Sequence, residues 1–126
     1  MQLPDLLKLQ GIAESVVTRT VRALPAELRR HAETLPVCFE PAPNAETVAD
    51  GIDPDTLGLF VGPEYGEAES ALIDVPSQII LYLENLWDFS EGDEDLFRGE
   101  VRTTFLHELG HYLGLDEDDL ERRGLL

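Results

Sequence analysis

A chain of 126 residues has room for one domain around one core, and 43% hydrophobic with 28% charged residues excludes a disordered polymer. Its 26 Asp and Glu against 9 Lys and Arg give a formal net charge of −17, which sets the surface against phosphate backbones and anionic lipid, so neither nucleic acid nor membrane is expected as a partner. The lone cysteine, Cys38, cannot close an internal disulfide, the first residues lack a basic start and an apolar h-region, and no stretch approaches the roughly 18 apolar residues of a span, so the expected location is the cytoplasm.

Residues 1–10 read as a loose arm to a single domain covering 1–126. From residue 12 to 24 the positions Ile12, Val16, Val17, Thr20, Val21 and Leu24 recur at helical spacing until Pro25 interrupts them. Pro25 also suits the first turn of a second short helix with Leu28, His31, Ala32 and Leu35 near one stripe. Residues 37–40, between Pro36 and Pro41, predict a short strand, residues 41–58 a loop rich in Pro, Asn, Asp and Gly, and residues 57–61 a second strand stopped by Gly62 and Pro63. Residues 66–77 are ambiguous. Residues 78–83, Gln-Ile-Ile-Leu-Tyr-Leu, form the clearest strand, apolar on both faces.

Ser90 stands three residues before Asp93 in the manner of a capping box, opening a long helix over about residues 92–113. Phe97, Val101, Phe105, Leu109 and Tyr112 keep a stripe along it, Gly114 stops it, and a last helical turn surrounds Leu120 before Gly124. Two N-terminal helices, a small sheet and a long helix predict a compact α+β domain.

Residues 107–117 read His-Glu-Leu-Gly-His-Tyr-Leu-Gly-Leu-Asp-Glu and fall at the C-terminal end of the long helix. Side chains four apart project from one helix face, so His107 and His111 can offer two imidazole nitrogens to one zinc ion. Glu108 sits where it can receive a proton from a water in the open coordination position and return it to a leaving amine. A bare His-Glu-x-x-His arises by accident in about one chain in a few hundred; here two of the three histidines lie in the motif, followed by a turn glycine and a run of acids. A catalytic zinc site needs a third protein ligand. Gly114 lets the backbone turn back and bring an acid to the metal, which leaves Asp116, Glu117 and Asp118 as candidates.

These residues resemble the small bacterial zincin-like metallopeptidases, described as minimal metalloproteases, whose motif is similar to His-Glu-x-x-His-x-x-Gly-x-x-Asp. The likeness extends to the paired N-terminal helices with Leu-Pro-Ala-Glu-Leu at residues 24–28 and to Ile79–Leu83 before the motif helix. It implies a zincin-like core, one Zn²⁺ per chain on His107 and His111, Glu108 as general base, Gly114 as the turn and a peptide or protein substrate. Where the family places Asp, this chain has Glu117, one methylene longer and flanked by Asp116 and Asp118. The resemblance also implies a strand beside the site that pairs with extended substrate, which falls on Gln78, Ile79, Ile80, Leu81 and Tyr82. The rival of another class is a non-catalytic, metal-stabilised domain that binds protein or peptide; a base beside an open position argues against it.

Overall fold

The structure is a computed structural model that describes residues 5–65 and 76–125. Helix α1 (Leu6–Ala23) starts at Asp5, whose carboxylate accepts the Leu7 N–H at 3.0 Å, and buries Leu9, Ala13, Val16, Val17 and Thr20 along one face. It begins six residues before the periodicity predicts, taking up residues 6–10 of the expected arm, where the exposed Leu7 falls off the stripe and masks the helical period. Pro25 then caps α2 (Ala26–Glu33), which buries Leu28 and Ala32.

Strand β1 (Val37–Glu40) follows as expected, but the predicted loop after it contains a single-turn helix, α3 (Ala45–Ala49). Asn44 caps it by accepting the Thr47 N–H at 2.8 Å, and none of its residues is buried, so no apolar pattern could reveal it. Strand β2 (Gly58–Val61) and strand β3 (Gln78–Tyr82) complete a three-stranded sheet in the order β1-β3-β2. β1 runs parallel to β3 with Val37 opposite Ile79, and β2 runs antiparallel with Gly58 opposite Leu81. The ambiguous residues 66–75 lie outside the described residues.

The sheet order corrects one expectation. Residues 78–82 form the central strand, hydrogen-bonded on both sides, so Gln78, Ile79, Ile80, Leu81 and Tyr82 have no free ladder to offer an extended peptide. Its two faces also differ: Ile79 and Leu81 are fully buried, while Gln78 and Ile80 are half-buried. The apolar run reflects a central position in the sheet.

Helix α4 (Leu83–Phe89) leaves β3 directly and buries Leu83, Leu86 and Trp87, an element the sequence reading did not assign. Ser90 does not cap the motif helix: its hydroxyl donates to the Leu86 carbonyl at 2.8 Å, ending α4 instead. Glu91 and Gly92 then take left-handed φ of 54° and 74°, and Asp93 caps α5 (Glu94–Leu113) by accepting the Leu96 N–H at 3.0 Å. α5 packs between α1 and the sheet, burying Phe97, Val101, Phe105, Leu106 and Leu109 against Ile79 and Leu81 in one core. At Gly58 the strand rides so close to the helix that an added Cβ would lie 2.6 Å from the Thr104 methyl carbon. Thr104 is one helical turn before Glu108, so this contact fixes the height of β2 over the motif. A last helix, α6 (Glu117–Arg122), anchors through buried Leu120.

Candidate metal centre

The final turns of α5 carry His107, Glu108 and His111. Apolar neighbours Leu106 and Leu109 face the core, which leaves the histidines at its margin and draws Glu108 in to 8% exposure. The chain then reverses within a few residues. Gly114 ends the helix at φ 71°, ψ 26°, and the Leu115 N–H reaches back to the Gly110 carbonyl at 2.8 Å, the six-to-one bond of a Schellman turn. The reversal is tight: a Cβ on Gly110 would stand 2.9 Å from the Leu115 carbonyl oxygen and 3.1 Å from a Leu120 methyl.

Asp116 opens α6 with a capping box. Its carboxylate accepts the Asp119 N–H at 2.8 Å, and the Asp119 carboxylate accepts the Asp116 N–H at 3.1 Å while pairing with Arg122. These bonds hold the Asp119 carboxyl below the usual carboxylate range, the backbone N–H of Asp116 contributing most. Asp116 is therefore committed to the turn, and Glu117, the first residue of the helix, is left with a free carboxylate. Its Oε1 lies 2.9 Å from His107 Nε2.

The second close pair is His111 Nδ1 and Glu108 Oε2 at 3.1 Å. Both pairs are near in distance yet off hydrogen-bond alignment, since His107 Nε2 and Glu108 Oε2 are buried without a hydrogen-bond partner among the described residues. Among the described residues no three His, Cys, Asp or Glu side chains converge on one point: His107 is brought to Glu117, and His111 to Glu108. Burial pushes the Glu108 carboxyl above the ordinary carboxylate range, and the nearby His111 and His107 imidazoles only partly pull it back.

A hollow of about 430 Å³, walled by Glu64, Leu115 and Asp116, opens on His107, His111 and Glu117. A second, of about 360 Å³, lies against the same His107 and Glu117 and is lined also by Arg102, Thr103 and Glu121. Tyr65 carries one wall of the first hollow into place: its N–H donates to the Tyr112 carbonyl at 2.7 Å, and its ring packs on His31 at 4.1 Å, tilted by 50°, and meets Tyr112 at 6.0 Å. Tyr112 also packs on Phe60 at 5.8 Å, tying β2 to the motif. Tyr82 is a core side chain at 1% exposure, its phenol pushed up by burial and then by Glu40. Cys38 is half-buried with its thiol on Gln78 at 3.1 Å.

Gly110, Glu64, Tyr65 and Arg102 were not singled out from the sequence. For Gly110 a signal existed, a glycine inside a helical motif where alanine is the better helix former. Glu64 and Tyr65 are too far along the chain from the motif for spacing to connect them.

The residues present fit zinc. Imidazole and carboxylate are its preferred nitrogen and oxygen donors, and the Nε2 of His107, facing a carboxylate, has no hydrogen-bond partner among the described residues. A His-Glu-x-x-His helix lying across a small mixed sheet, with an acid returned to it by a glycine turn, is the arrangement of a zincin. The chain belongs to the zincin-like metallopeptidase family, whose model matches residues 32–125. That membership implies a zinc cofactor and peptide substrates at the level of the family. A search of curated proteins finds no match. Among the described residues no helix is long and apolar enough to cross a membrane.

Proposed function

We propose that this protein is a zinc-dependent peptidase in which His107, His111 and Glu117 hold the metal and Glu108 is the general base. The observation that carries this reading is the unpartnered Nε2 of His107, turned toward the Glu117 carboxylate at 2.9 Å without hydrogen-bond alignment, which is how two ligands of one ion face each other. Asp116 is spent on the capping box and Asp118 does not line the hollow, which favours Glu117 as third ligand. The His111 ring, 64% exposed, is free to rotate away from Glu108 at little cost in packing.

Zinc, when bound, supplies a Lewis acid and lowers the pKa of a coordinated water to about 7. Glu108 would accept a proton from the attacking water and pass it to the leaving amine of the substrate; its burial keeps the carboxylate poorly solvated and basic. A purely structural metal site has no use for such a group, which sets the non-catalytic reading second. For substrate alignment, β2 is the strand that meets the motif through Phe60 and Tyr112, and among the described residues its outer edge is unpaired. An extended peptide would pair there, in place of β3.

The test combines metal content with cleavage. Wild type and Glu108→Gln are expected to carry about one zinc per chain, His107→Ala and His111→Ala to lose it, and Glu108→Gln to cleave unstructured peptides at least about a hundredfold more slowly. Stoichiometric zinc in the double His107→Ala, His111→Ala variant would overturn the ligand assignment. Loaded wild type that binds peptides with or without Glu108 and cleaves none would make the binding domain the better account.

A further inference from the structure

The two hollows beside the His107 and Glu117 pair differ in charge. The larger is lined by Glu64, Asp116 and Glu117 and by no Lys or Arg; the smaller is lined by Arg102, the only Lys or Arg among the described residues lining either. Arg102 lies on the motif helix five residues before His107 and is exposed. Its one hydrogen bond among the described residues is a long one, from Nη2 to the Leu125 carbonyl at 3.4 Å. It forms no ion pair within 4.0 Å with Glu117 or Glu121, although both line the same hollow. Most of the five guanidinium donors are therefore uncommitted beside the metal centre.

A protein of net charge −17 repels anions, and a carboxylate entering this hollow would also meet Glu117 and Glu121. One guanidinium at the wall reverses that locally, because its planar fork matches a carboxylate with two parallel, charge-assisted hydrogen bonds. Resting on the peptidase reading above, we propose that Arg102 is a specificity-determining residue that anchors a substrate carboxylate in the smaller hollow, selecting peptides with an anionic group on that side of the scissile bond. The group is either the peptide's C-terminus or an acidic side chain.

The experiment uses the full chain as Glu108→Gln, which keeps the peptide bond intact, both zinc-loaded and metal-free. Calorimetric titration compares N-acetyl-glycyl-leucine and N-acetyl-glycyl-glutamic acid amide with their uncharged partners, N-acetyl-glycyl-leucine amide and N-acetyl-glycyl-glutamine amide. At least one charged compound is expected to bind about tenfold or more tightly than its partner; which one does so distinguishes the terminal from the side-chain carboxylate. Arg102→Gln is expected to abolish the preference, Arg102→Lys to keep part of it, and Arg98→Gln, the same charge change on α5 outside this hollow, to leave it intact. Zinc affinity is expected to be equal in Arg102→Gln and its parent. A preference that is missing, or that survives Arg102→Gln, overturns the proposal, the latter pointing to direct ligation of zinc by the carboxylate. Failure to bind zinc would count against the peptidase reading alone, since the metal-free titration still reads Arg102.

Discussion

Glu108 is held where the fold alone gains nothing from it. A carboxylate at 8% exposure, with one oxygen lacking a hydrogen-bond partner, is desolvated without full compensation, and its raised carboxyl pKa expresses the same imbalance. The sign follows from linkage: with the folded value above the unfolded one, the stability contribution is fully present below the ordinary carboxylate range and is lost as pH rises through the folded value. Metal-free Glu108→Gln is therefore expected to melt higher than metal-free wild type at pH 7, the gap closing below about pH 4; equal melting curves at both pH values would refute this. The acids after the turn separate by a different argument. Glu117→Ala is expected to weaken zinc binding about tenfold or more in a competitive chelator titration. Asp116→Ala, which removes the N-cap of α6, is expected instead to destabilise the fold by about 1 kcal/mol, with a smaller effect on the metal. A larger zinc loss in Asp116→Ala than in Glu117→Ala would reverse the assignment.

At the scale of elements, the join between α5 and α6 decides whether the third acid arrives. Two glycines serve it in different ways. Gly114 supplies a left-handed φ and has nothing within 4 Å of an added Cβ, so Gly114→Ala carries a conformational penalty of about 1 kcal/mol and little displacement. Gly110 is ordinary helix by conformation, but its missing Cβ is the space into which the Leu115 carbonyl and Leu120 pack. Gly110→Ala must push the turn outward and carry Glu117 away from His107. Zinc affinity is expected to fall by about tenfold or more in Gly110→Ala and to change by less than about threefold in Gly114→Ala, although alanine favours a helix interior at the first position. Equal zinc affinities in the two variants would show that the close approach at Gly110 does not position the ligand. The same logic of close approach operates at Gly58, where β2 meets Thr104, so one strand edge and one acid are both set by glycines that contribute no atoms to the chemistry.

For the whole molecule, the proposed ligand set would draw donors from α5 and α6 and tie the last helix to the core, which would link folding to zinc binding. Added zinc is expected to raise the melting temperature of wild type, with stabilisation of about 2.7 kcal/mol at a hundredfold excess over Kd, and to leave His107→Ala unmoved. The gain is expected to shrink on acidification, because only neutral imidazole binds metal and protons compete with zinc for it. A zinc-induced shift that does not diminish at all on acidification of wild type would contradict histidine ligation. The helix stripe, the two histidines four apart, the adjacent glutamate and the stop at Gly114 were legible in the sequence because each depends on local spacing along one helix. The short helices α3 and α4 and the early start of α1 were not, since they bury too little or too much to show a period. Sheet order lay beyond local pattern altogether: an apolar strand reads the same whether its edges are free or paired, and only the partners β1 and β2 made residues 78–82 central, leaving β1 and β2 as the edge strands among the described residues. The sequence by itself determined which chemistry these residues can perform; the tertiary structure decided which acid turns back to His107 and which cation stands beside it, because both depend on close approaches between segments that spacing along the chain does not encode.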